Sequence, residues 1–258
     1  MPRGAPLPRA LPASRSELAA ALDRAQQIID DPSSTSPQLS SAGAFEQLAT
    51  FELARQAPRD RRASLAGLGR QAAASMGANL EAATALARLV TPRRSLPPWK
   101  IIQPPAPSTL LDYFKAAQSR FGVPWEYLAA IEFIETKFGR VQGPSSAGAQ
   151  GPMQFLPATW ARYGHGDIHD QRDAILGAAR YLAANRAPRD MADALYHYNP
   201  SRDYVGAVKD YAGRMFSDHR AYYGYYQWQV IYAHIGGPVI LPVGYPRARP
   251  IPVRYRSR

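Results

Sequence analysis

The chain has 258 residues, 46% of them hydrophobic and 20% charged, which is enough for one sizeable apolar core and an appendage. It contains no cysteine, which excludes disulfides and thiolate chemistry, and its formal charge of +11, carried almost wholly by arginine, favours a polyanionic partner. Nucleic acid is not expected, because no helix-turn-helix, zinc-finger or aromatic RNA-binding pattern occurs, and no stretch approaches the roughly 20 apolar residues needed to span a membrane.

Residues 1–14 are basic but lack the apolar centre of a secretory leader. Ser14 and Glu17 form a capping-box pattern, after which Leu18, Leu22, Ala25 and Ile29 make one apolar helix face. A second pattern holds Phe45, Leu48 and Phe51, and a third holds Leu65, Leu68, Ala72, Met76, Leu80 and Ala83. Together they predict a helical hairpin or small bundle, packed on itself or on the part that follows. From Thr91 to Ser108, prolines at 92, 97, 98, 104, 105 and 107 exclude regular helix and predict a linker, extended around Pro104 to Pro107. The expected division is a helical segment with the start of the linker over 1–98, a helical domain carrying the chemistry over 99–216, and an aromatic and basic end over 217–258.

Ser108 is expected to cap a helix bearing Leu111, Phe114 and Phe121 that ends at Gly122, and Pro124 suits the first turn of the next. There Leu128, Ile131 and Phe138 recur at helical spacing, with Tyr127 and Ile134 on the same arc. Glu135 falls inside that arc. A carboxyl in an apolar stripe must find a partner or keep its proton, and neither Lys137 nor Arg140 falls one turn away on its face, so the pattern predicts a raised pKa. Glu132 sits at the edge of the arc, where a solvated or ion-paired side chain is expected. Gly143, Gly148 and Gly151 then allow a loop to pass tightly over this helix, bringing Ser145 and Gln154 within reach of Glu135.

Pro157 to Tyr163 reads as a short helix stopped by Gly164, and Asp170 with Asp173 starts a longer one carrying Ile175, Ala178 and Leu182. A further helix begins at Asp190 and gives out at Tyr198 and Asn199, before a last one with Val205, Val208, Ala212 and Met215. Residues 226–232 alternate with a period near two, and Gly236-Gly237 precedes Val239-Ile240-Leu241, which predicts a short C-terminal hairpin. From Pro246 onward arginine and proline dominate, as in a flexible basic tail. The histidines at 165, 169, 197, 219 and 234 lack ligand spacing, so neither a metal nor another cofactor is expected.

Three runs carry a family resemblance: Ile134-Glu135-Thr136-Lys137-Phe138-Gly139-Arg140-Val141; Ser145-Ser146-Ala147-Gly148-Ala149-Gln150-Gly151-Pro152-Met153-Gln154-Phe155; and Tyr196-His197-Tyr198-Asn199-Pro200-Ser201 with Tyr204 beyond. In this order they resemble the active-site motifs of bacterial lytic transglycosylases, and the first run is most similar to membrane-bound lytic transglycosylase B. The resemblance implies a mainly α, goose-type lysozyme-like (SLT) catalytic domain acting on peptidoglycan outside the cytoplasm, as a monomer. It implies that Glu135 is the single acid and base, that Ser145, Gln154, Tyr198, Asn199 and Tyr204 line the groove, and that Gly151 and Met153 act through backbone shape and packing. Thr136 stands where the soluble branch has serine and keeps the hydroxyl. Most glycosidases instead use two carboxyls, about 5–5.5 Å or 6.5–9.5 Å apart. A hydrolytic muramidase of the same fold and a non-catalytic wall-binding protein remain open alternatives, and the basic tail is a candidate contact for anionic wall polymers.

Overall fold

The computed structural model describes residues 10–253. The first nine residues, which include most of the stretch read for leader character, and the last five of the basic tail lie outside the described residues. The chain is mainly helical. Ser14 caps α1 (Arg15–Asp30) by accepting the Glu17 N–H, and Thr35 opens α2 (Ser36–Leu53) through a reciprocal box with Gln38. The third apolar pattern is split: α3 (Pro58–Leu65) stops short of Leu68, and α4 (Arg70–Leu89) carries the rest. The cause is a break at 66–69, where the Gly69 N–H is capped from outside by the Asp23 carboxylate.

After α4 comes the proline-rich stretch, then α5 (Pro107–Phe121), α6 (Trp125–Thr136), α7 (Pro157–Tyr163), α8 (Gln171–Ala184), α9 (Met191–Tyr198), α10 (Arg202–Ser217) and α11 (Ala221–Tyr226). Pro107 takes the first position of α5, so Ser108 lies inside the first turn rather than at the cap. Asp170, Asp190 and Ser201 cap α8, α9 and α10 through side-chain oxygens. Helix α6 sits at the centre, packed by α5, α8, α10 and α11, and Leu128, Ile131 and Phe133 are buried in the main core. Ala82 and Ala85 of α4 belong to that same core, because α4 lies along α10. A buried ion pair, Arg214 to Glu46 at 2.6 Å, ties α10 to α2.

The proline-rich stretch is tied down along its length. Lys100–Ile101 (β1) pairs antiparallel with Val141–Gln142 (β2), and Tyr245 and Tyr226 donate their hydroxyls to the carbonyls of Pro97 and Pro105. The aromatic run expected to alternate as a strand from Tyr226 is helical through Tyr226 in α11, with Tyr222 and Tyr225 fully buried, and only Val230–Tyr232 (β3) extends. The expected hairpin forms, β3 pairing antiparallel with Val239–Leu241 (β4) across the Gly236-Gly237 turn, and a third strand, Ile251–Pro252 (β5), adds to the other edge of β4. The expected flexible tail is therefore ordered through Val253: β5 pairs with β4 and Val253 is buried with Leu11 and Leu18. Apolar residues spaced between the arginines supply that anchor.

Candidate active site

Helix α6 ends one residue after Glu135. Lys137 and Phe138 both adopt left-handed backbone, at φ 53° and 61°, costs on the order of 1 kcal/mol each for non-glycine residues. Phe138 is thus outside the helix, yet the turn returns its ring to the core against Phe133. Thr136 holds this turn. Its hydroxyl accepts the Gly139 N–H at 2.9 Å and donates to the Pro152 carbonyl at 2.6 Å, fastening the end of α6 to the glycine loop. A hydroxyl directly before a helix-ending Lys-Phe-Gly is the signal that could have revealed it.

Glu135 is half-buried, and its Oε1 accepts the Tyr204 hydroxyl at 2.8 Å. Tyr204 comes from the first turn of α10, whose Ser201 cap fixes the start of the helix, and is itself only 2% exposed. Burial pushes the Glu135 carboxyl up to about 7, against the opposing pulls of the Tyr204 hydroxyl and the Lys137 ammonium. Lys137 comes nearer than its sequence position suggests. The left-handed turn folds its side chain back, so that Nζ donates to the Phe133 carbonyl at 2.8 Å and stands 4.2 Å from the centre of the Phe133 ring. Burial lowers this ammonium to about 8, and Glu135 partly offsets the fall.

Glu132 departs from expectation. It is 0% exposed rather than solvated, and neither carboxyl oxygen has a hydrogen-bond partner. Neighbours surround α6, so the flank of its apolar arc is interior as well. Burial raises Glu132 well above the usual carboxylate range.

Tyr204 reaches Glu135 by the hydrogen bond, whereas burial first, and the charge of Glu135 next, raise the Tyr198 phenol well above its usual range. Tyr198 donates to the Met153 carbonyl at 2.5 Å and packs on Phe155 and Tyr181, so it braces the glycine loop. Met153 is fully buried, and a Cβ on Gly151, at φ 73°, would lie 1.9 Å from the Ile168 carbonyl oxygen, so only glycine fits there. Ser145 and Gln154, expected to reach Glu135, bond the loop instead. The Ser145 hydroxyl accepts the N–H groups of Ala147 and Ala149, and the Gln154 amide donates to the Gly151 carbonyl at 2.9 Å. Small loops satisfy their own backbone first. Asn199 closes α9, with its backbone N–H on the Leu195 carbonyl and its side chain half-buried.

What results is a carboxyl that holds a proton near neutrality, one phenol that can steady its anion, and a rigid loop beside it. Such a group can give a proton to a leaving oxygen and then take one back. A stretch of 74 residues is 39% identical to membrane-bound lytic murein transglycosylase F of Thiobacillus denitrificans; it covers 29% of this chain and 16% of that protein. No family model matches the chain. No solved structure matches it. Among the described residues no helix is long and apolar enough to cross a membrane.

Proposed function

We propose that the chain is a peptidoglycan lytic transglycosylase in which Glu135 serves as both acid and base. The observation that carries this reading is the Glu135 carboxyl, pushed up to about 7 by burial while bonded to Tyr204. The three motif runs and the partial identity to a lytic murein transglycosylase support the substrate class. A lysozyme-like arrangement of the helices and an extracytoplasmic location belong to the same proposal, as does a nearness to the B-type enzymes in the first motif.

Protonated Glu135 donates to the β-1,4 glycosidic oxygen between N-acetylmuramic acid and N-acetylglucosamine, and the bond from that oxygen to C1 breaks. Positive charge spreads over C1 and the ring oxygen, and the substrate's acetamido group is placed to shield it. Tyr204 steadies the Glu135 carboxylate until it removes the proton of the muramic acid C6 hydroxyl. The C6 oxygen closes on C1, giving a 1,6-anhydro end and returning the proton to Glu135, with no water consumed. Glu132 is not a second catalytic carboxyl in this reading, because it is fully enclosed and has no solvent access.

The test is mass spectrometry of products from purified sacculi, comparing the native chain with Glu135→Gln. Anhydro-muropeptides from the native chain alone are expected. Products heavier by one water, with reducing ends, would indicate a hydrolytic muramidase, and no product from either protein would favour wall binding without cleavage.

A further inference from the structure

The glycine loop that begins beyond β2 is held from outside by a part of the chain with no assigned role. Residues 93–102 run as a strap between the C-terminal sheet and this loop. On one side, the Arg93 N–H donates to the Ala233 carbonyl and its carbonyl accepts the Ile235 N–H, both at 3.0 Å. Tyr232 donates to the Ser95 carbonyl at 3.1 Å and Tyr245 to the Pro97 carbonyl at 2.7 Å. The Ile101 N–H bonds the Tyr245 carbonyl, and its own carbonyl accepts the Gly244 N–H.

On the other side the strap grips the loop. The Trp99 indole N–H donates to the Pro144 carbonyl at 3.0 Å, immediately before Ser145. The β1–β2 pairing and the bond from the Ile102 N–H to the Arg140 carbonyl hold the base of the same loop. Gly143 lies flat against the indole: a Cβ there would come within 2.5 Å of Trp99 Cδ1, on backbone at φ 152°. The indole is in turn braced edge-on by Tyr232 of β3, 5.7 Å between ring centres. Ile101, Val141, Val230, Leu241 and Tyr245 form one apolar cluster beneath it. The loop tip, from Ser146 to Gly148, is left exposed.

We propose that the strap and the C-terminal sheet are a clamp that fixes the glycine loop for substrate binding, with Trp99 as its positioning residue. Trp99 works through Pro144 and Ser145 and takes no part in bond cleavage; the substrate half of this inference rests on the transglycosylase reading. A loop fixed at its base and open at its tip can receive a glycan strand without the ordering cost of a mobile one.

The experiment is hydrogen exchange at Ser145, Ala147 and Ala149 in the full chain, with steady-state kinetics on sacculi, for Trp99→Phe and Tyr232→Leu. Trp99→Phe keeps a ring against Tyr232 and removes the N–H, whereas Tyr232→Leu withdraws the brace from the opposite side. Both are expected to speed exchange at these amides about fivefold or more, the worth of one net hydrogen bond, while amides in α6 and α10 are unchanged. KM is expected to rise by a similar factor with kcat within about twofold. Unchanged exchange in the loop with either variant, or a fall in kcat at constant KM, would overturn the clamp. Faster loop exchange in a chain that proves inactive on sacculi would uphold the clamp and count only against the transglycosylase reading. If Trp99→Phe loses protection throughout the molecule, Tyr232→Leu decides.

Discussion

Glu132 and Glu135 stand less than one turn apart on α6 and differ in what surrounds them. Glu132 is wholly enclosed and neither oxygen has a partner, and burial holds its carboxyl well above the usual range. Glu135 is half-open, with a phenol on one oxygen and an ammonium within electrostatic reach, and its carboxyl is pushed up only to about 7. Burial alone makes a carboxyl inert. Burial balanced by a donor, a cation and an opening makes one that can exchange its proton near neutral pH.

Breaking the active side of this contrast gives the largest expected effect. Glu135→Gln removes the exchangeable proton and should lower kcat/KM about a thousandfold, in the range for loss of a general acid and base, with circular dichroism unchanged. A third glutamate sharpens the contrast. Glu46 is buried like Glu132 but faces Arg214 at 2.6 Å, so Glu46→Ala strands a buried guanidinium and should cost about 3 kcal/mol or more in denaturant unfolding.

Glu132→Gln should have the opposite sign. The Glu132 carboxyl has its folded-state pKa raised above the 4.5 of an ordinary glutamate, so native protein binds the proton more tightly than unfolded protein. Stability from this group is full below the unfolded value and is lost as pH rises through the window up to the folded one. The substitution should therefore stabilise the fold at neutral pH, with a gain that shrinks toward acid; thermal melts across pH check this. The smallest effect is expected of Tyr204→Phe. Its hydroxyl lowers the Glu135 pKa, so its loss should move the profile of kcat to higher pH.

The sequence was most legible where local rules decide. Ser14, Asp170 and Asp190 announce their helices, Gly122 ends α5, and Glu135 stands out because its arc is otherwise apolar. The burial of Glu132 is not legible in the sequence, because a helical wheel shows one face whereas α6 is enclosed by neighbours that only the assembled fold supplies. Ser145 and Gln154 turned to the loop backbone, a choice set by φ values and carbonyl positions invisible in side-chain identity. The prolines from 92 to 107 exclude helix and so suggest a linker, but they leave the backbone carbonyls free to accept, and the tyrosines of the C-terminal region take up those of Ser95, Pro97, Pro105 and Pro107. The arginines of the tail suggest flexibility, but Ile251 and Val253 between them anchor it.

The central claim is that one carboxyl, Glu135, keeps its proton up to neutral pH while remaining able to release it. Its most direct measurement is the titration of the Glu135 side-chain carboxyl carbon by NMR, in a Glu132→Gln background that removes the other enclosed glutamate of α6. A midpoint near 7 is the predicted result, moving upward when Tyr204→Phe is added. A midpoint at the ordinary glutamate value of 4.5, unmoved by the loss of the phenol, would contradict the account.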